Sequence, residues 1–207
     1  MQLNTLVHYF LLPIYHPGKY LRKLINDHYK VAYGLIIFLF LGFIYNLSVF
    51  LAYQRGFGAQ VEPFVKIPAE NYYFWQQFFQ IPLFLVTAIL FAGTARLLSI
   101  AFNGQGTYED IFAICCVALT LPMFLTLWLP ETTYFLFFQG SYLGSEGSAP
   151  PWPAWVDIVR QLASILWPLG IIVFGIVLSE KLKWFPSIVI TLVAAIPMTA
   201  LMVIFIR

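Results

Sequence analysis

The chain has 207 residues, of which 61% are hydrophobic and 10% charged, with a formal net charge of +2 and a mean hydropathy of +0.83. A water-soluble domain carries about 25% charged residues. A chain this apolar has too little polar surface for a water-facing globule, and its composition assigns it to a bilayer.

The opening stretch, MQLNTLVHYFLLPIYHPGKYLRK, has its positive charges after an apolar patch and lacks a small-residue cleavage site. It does not read as a cleavable signal peptide. Residues 1–30 read instead as a basic arm on the cytoplasmic side. Within it Leu21, Leu24, Ile25 and His28 follow i, i+3, i+4, i+7 spacing, and Lys19, Arg22 and Lys23 take the other face. Pro17 and Gly18 suit a turn just before a helix start. The pattern predicts an amphipathic helix lying in the membrane interface, held by apolar burial and attraction to anionic lipid. Lys19, Arg22, Lys23 and Lys30 are the candidate membrane-surface residues. The simpler alternative is an ordinary basic flank ahead of a first span. His8, His16 and His28 are too far apart in sequence for a metal site within one helix.

Crossing a bilayer as a helix takes about 20 mostly apolar residues. Five segments meet that length, at about 31–53, 74–102, 111–129, 158–178 and 188–206. The fold class is an all-α membrane protein, a five-helix bundle over 31–207 with the amphipathic arm ahead of it. Lys19, Arg22, Lys23, Lys30, Arg96, Lys181 and Lys183 would lie on one side of the bilayer, and Arg55, Lys66, Arg160 and Arg207 on the other. The richer side is expected to be cytoplasmic, with the N-terminus inside and the C-terminus outside.

Polar residues within the spans are mild, among them Asn46, Ser48, Thr87, Thr120, Ser164 and Thr191. Such groups bond across helices or back to a carbonyl. The middle of each span lacks Asp, Glu, Lys and His, which disfavours transport by charge relay. Ala88, Ala92 and Ala95 form a small-residue stripe on the second span, suited to close packing on another span or on a second copy. Pro122, Pro168 and Pro197 are expected to kink their spans.

The turn between the second and third spans, NGQGTYED, carries most of the chain's local detail. Asn103 and Gly104 can end one helix in a left-handed cap. Thr107 can cap the next, with Asp110 three residues on. Arg96 is either a phosphate-contacting interface residue or the partner of Glu109 or Asp110 across this turn. Cys115 and Cys116 follow as small buried hydrophobes; side by side on a helix they offer neither a disulfide framework nor a metal-ligand spacing. The segment 130–157 has no Lys or Arg and reads as an external connection. Its Tyr134, Trp152 and Trp155 suit an aromatic belt, with a capping lid as the alternative.

The arm motif YHPGKYLRKL, followed by ARLLSIAFNGQGTYEDIFAICCVALTLP, resembles the Yip domain family, in the manner of its short prokaryotic members. Gly104, Gly106, Tyr108 and Pro122 carry the likeness. The resemblance implies five spans with a cytoplasmic N-terminus. Eukaryotic members act in Golgi and ER vesicle traffic and associate with prenylated Rab GTPases and with one another. This chain has no D-L-x-G-P element, and CCVALTLP stands where those members tend to carry an aromatic-glycine motif. Both departures count against Rab binding. No nucleophile with a base, paired carboxylates or His-rich cluster is apparent in the sequence. The expectation is a non-enzymatic scaffold or membrane organiser that needs no cofactor. Its partners would be the lipid bilayer, further copies or a larger complex, and not nucleic acid. A small transporter or lipid-translocating protein, or an accessory subunit, are the alternatives, and a prokaryotic cytoplasmic membrane is the expected location.

Overall fold

The computed structural model describes residues 16–56, 64–137 and 153–205. These residues form helices and no strand, and five of the rods are long and apolar enough to cross a membrane. The protein is a membrane-type helical bundle.

Helix α1, Pro17–Ile25, begins with proline in its first turn, where a missing N–H costs nothing. Helix α2, Lys30–Gln54, is the first span. A 3₁₀ turn, Ala69–Asn71, leads into α3, Tyr72–Ala101. Helix α4, Tyr108–Met123, continues through a π segment, Phe124–Trp128, into α5, Leu129–Phe137. Helices α6, Ala154–Glu180, and α7, Trp184–Phe205, complete the bundle. Each of the five expected spans is present, within a few residues of its expected ends. The third differs most: it runs over Tyr108–Thr133 instead of 111–129. The first residues of the expected external connection, from Pro130 to Phe137, are therefore helical. Residues 138–152, including Trp152, lie outside the described residues, as do His8 and Arg207.

Helix α4 is the central pillar. Every residue from Asp110 to Ala118 is buried, and α2, α3 and α6 pack around it. Small residues set the spacing. A Cβ on Gly34 of α2 would stand 3.1 Å from the Ala113 carbonyl oxygen, and one on Gly175 of α6 would stand 2.7 Å from Ile114 Cγ2. Close backbone approach of this kind drives helix association in lipid, where burying apolar surface gains little. Cys115 and Cys116 sit in this pillar as free thiols, filling space as small hydrophobes. The Ala88–Ala92–Ala95 stripe is also fully buried, so it serves this bundle and not a second copy. Prolines lie inside α3, α4, α6 and α7, at Pro82, Pro122, Pro168 and Pro197. Each lacks the N–H for one i→i−4 bond.

Helix α1 differs from its expected environment. Tyr20, Leu21 and Leu24 are fully buried, and the helix packs on α4 and α6. A Cβ on Gly18 would stand 3.2 Å from Phe174 of α6. The apolar face is covered by protein instead of lipid. His28, expected on that face, lies beyond the end of α1 and is exposed, because the helix stops at Ile25. Lys19, Arg22 and Lys23 face outward as expected. Leu24→Ala should therefore loosen α1 by about 2–5 kcal/mol and speed tryptic cleavage at Lys19 and Lys23. Lys19→Ala should change stability by less than about 0.5 kcal/mol.

Candidate functional site

At one end of the bundle the start of α2, the α3–α4 turn and the end of α6 meet in a charged seam. Its shape begins with backbone chemistry. Asn103 adopts a left-handed φ of 61° after α3. The Gly104 N–H then donates to the Ser99 carbonyl at 2.7 Å, and the Asn103 N–H to Ile100 at 3.0 Å. This is the Schellman arrangement, which satisfies carbonyls that a helix end leaves open. Thr107 starts α4 with a capping box. Its hydroxyl accepts from the Asp110 N–H at 3.3 Å, and its own N–H donates to Asp110 Oδ2 at 3.0 Å. Asp110 replaces the usual Glu or Gln and also places a carboxylate at the positive end of the α4 dipole.

Two ion pairs cross-link the seam. Lys30 Nζ lies 2.5 Å from Asp110 Oδ1 and joins the start of α2 to the start of α4. Arg96 Nη1 lies 2.6 Å from Glu180 Oε2 and joins α3 to the end of α6. Glu180 is fully buried. Its Oε2 also accepts from the Gly106 N–H at 2.9 Å, and its backbone carbonyl accepts from the Gln105 N–H at 3.1 Å. The α3–α4 turn is thus bonded to α6 through both side chain and backbone. Lys181 follows Glu180 with a left-handed φ of 55° and ends α6.

These pairs correct two expectations. Arg96 does not pair with Glu109 or Asp110 across its own turn: Glu109 is exposed, and Asp110 is engaged by Lys30. Lys30 is not a surface residue of the arm but a partly buried structural cation. The turn brings Gly104, Gly106 and Asp110 together as the sequence suggests, and Tyr108 stacks on Phe112 with ring centres 5.8 Å apart. Pro122 lies one helical stretch away from this seam, inside α4. Glu180 is the residue that sequence reading missed. It sits 84 positions from Arg96 at the edge of a span, and only its place at the close of an apolar helix could have singled it out.

The opposite end carries a second polar cluster. Arg160 of α6 donates to Asp157 Oδ1 at 2.9 Å and lies 4.0 Å from Glu131 of α5. It also donates to the Leu127 carbonyl at 3.4 Å, within the π segment. Pro130 cannot donate to the carbonyl four residues back, which helps explain why the helix changes register there. Ser48 and Thr132 bond across α2 and α5. Tyr45 stacks on Trp128 with ring centres 4.5 Å apart. Below this cluster Gln76 and Gln80 of α3 are buried in the bundle. Sequence reading passed over both of these intramembrane amides.

Between the two ends lies a cavity of about 360 Å³, lined by residues from the middle of the spans, among them Phe84, Leu119, Ile165 and Met198. Among the described residues no three His, Cys, Asp or Glu side chains come close enough to hold a metal ion. No family model, curated protein or solved structure matches the chain.

Proposed function

We propose that the protein is a non-enzymatic membrane scaffold or membrane organiser of the Yip type, with its charged seam on the cytoplasmic side of a prokaryotic inner membrane. The observation that carries this reading is the built platform at that end. Two ion pairs, a capping box and a Schellman turn hold the ends of four spans together. Helix α1 lies docked on the platform with Lys19, Arg22 and Lys23 outward. Lys181 and Lys183 are exposed at the α6–α7 junction, beside exposed Trp184 and Phe185. A rigid face that mixes basic and aromatic residues suits an anionic headgroup layer or an acidic partner. The excess of Lys and Arg on this side supports the cytoplasmic orientation. The turn residues Gly104, Gly106 and Tyr108 support the Yip resemblance, and Rab binding is not part of the proposal.

The test is lipid selectivity of the purified protein in nanodiscs, read with spin-labelled phosphatidylglycerol against phosphatidylcholine. Each surface cation contributes about 1 kcal/mol of attraction to an anionic leaflet. Wild-type protein should enrich phosphatidylglycerol at its boundary, and joint reversal of Lys19, Arg22 and Lys23 to glutamate should abolish the enrichment. Equal selectivity in both proteins, or ion or solute flux through proteoliposomes at a catalytic rate, overturns the reading. Flux of lipid between leaflets would instead favour a second reading, lipid translocation, which the cavity between the helices supports.

A further inference from the structure

The cavity has four features that together point to one kind of occupant. The first is depth. Ser164 and Leu169 lie ten and fifteen residues into the 27-residue helix α6. At 1.5 Å per residue this is about 15–22 Å from its start, close to the bilayer centre. The second is access. Ile165 and Thr199 line the cavity and are themselves exposed on the outer face of the bundle, on α6 and α7. The mouth therefore opens sideways to hydrocarbon, where water and free polar solutes are scarce.

The third feature is the chemistry of the wall. None of the lining residues is ionisable. Three of its four hydroxyls bond to carbonyls of their own helices. Thr87 donates to the Phe84 carbonyl at 2.7 Å, Thr120 to Cys116 at 2.6 Å, and Ser164 to Gln161 at 2.7 Å. These three donors are already engaged and the fourth hydroxyl, Thr199, lies at the exposed mouth, so a polar guest deep in the cavity would lose its hydration with few donors to replace it. The fourth is adaptability. Met123, Met198 and Met202 contribute flexible thioether side chains that fit a mobile chain better than one rigid shape. The volume of about 360 Å³ falls within the usual range for ligand sites, about 300–1,000 Å³.

We infer that this cavity is a binding site for the acyl chain of a membrane phospholipid, which enters sideways between α6 and α7 while its headgroup stays at the membrane surface. The inference rests on the bilayer placement alone and not on the scaffold reading. An empty volume at this depth would forfeit dispersion contacts on every wall. A chain end filling it recovers those contacts and stiffens the α6–α7 contact.

The experiment uses full-length protein in vesicles doped with phosphatidylcholine that carries a diazirine near the end of one acyl chain. Adducts are mapped by peptide mass spectrometry after illumination. Leu162 and Leu192 are the controls, since they lie on the same two helices outside the cavity and are 52% and 55% exposed. Labelling of Leu169, Met198 and Met202 should exceed that of the controls by about tenfold, the ratio given by a preference of 1.4 kcal/mol. Ala195→Leu fills the cavity and should bring the ratio close to one. Thr199→Leu, at the exposed mouth, serves the same purpose if the first variant does not fold. Labelling that follows exposure alone, or that neither folded variant reduces, overturns the inference. A diazirine-bearing free fatty acid is run in parallel. Enrichment with the fatty acid and none with the phospholipid also overturns it, because the assigned source of the chain would be wrong.

Discussion

Replacing Arg96 by leucine is expected to destabilise the folded protein by about 3–5 kcal/mol, read from reversible unfolding in mixed micelles. The reason is the asymmetry of buried pairs. Losing one partner leaves the other charge without compensation in a poorly solvating site, which costs about that much. Here the stranded group is Glu180, which is fully buried, while the Arg96 side chain keeps 23% of its surface exposed. Gly106 N–H would remain as a donor to the stranded carboxylate, which places the estimate toward the lower end. A double-mutant cycle between Arg96 and Glu180 should give a coupling of about 1–3 kcal/mol. The cycles between Arg96 and Glu109, and between Arg96 and Asp110, should give values close to zero. Joint replacement of Arg96 and Glu180 by leucine should recover much of the loss, because an apolar pair has no charge to desolvate. A coupling to Glu109 as large as that to Glu180 would refute the assignment.

Gly106→Ala should produce the second large effect, a loss of about 1–3 kcal/mol with a weakened contact between the α3–α4 turn and α6. A Cβ there would stand 2.7 Å from the Ser179 carbonyl oxygen and 3.0 Å from the Glu180 carboxyl group. The first neighbour is backbone and cannot turn aside. The second is held by Arg96. Gly104→Ala meets a similar obstacle, with the Ser99 carbonyl 2.9 Å away and Glu180 closer still. Gly93 and Gly170 provide the contrast, since nothing lies within 4 Å of an added Cβ at either helical position. Their replacement by alanine should be neutral or stabilising by up to about 1 kcal/mol, as expected for helix interiors. Thermal unfolding of the four single variants tests the set. Equal losses at Gly93 and Gly106 would show that helix propensity, and not contact with α6, governs both.

The rods of the bundle were legible because hydrocarbon imposes one simple requirement, about 20 apolar residues per crossing. The α3–α4 turn was legible for a related reason. Its Schellman geometry and capping box depend on residues within a few positions of one another, from Ser99 to Asp110. The partners of Arg96 and Lys30 were not legible. They lie 84 and 80 positions away along the chain. Local spacing drew attention to Glu109 and Asp110, whereas helix packing decided the outcome. The burial of α1 was hidden in another way. An amphipathic stripe shows that one face avoids water, but it does not show whether lipid or protein covers that face. Gln76 and Gln80 are also inconspicuous in sequence, being two of three amides in an otherwise apolar run. Their position inside the bundle follows from the rotation of α3, which its neighbours set.

The π segment at Phe124–Trp128 has a consequence for how the third span is oriented. A wider turn inserts extra rotation between the residues below it and those above it, so the rod carries two phases instead of one. Below it every residue from Asp110 to Ala118 is enclosed by the neighbouring helices. The upper phase carries Thr132 toward Ser48 and Glu131 toward Arg160. No single helical wheel drawn across 108–133 can represent both halves. The last third of this span can take its own facing and its own partners, while the first two thirds stay locked in the bundle centre.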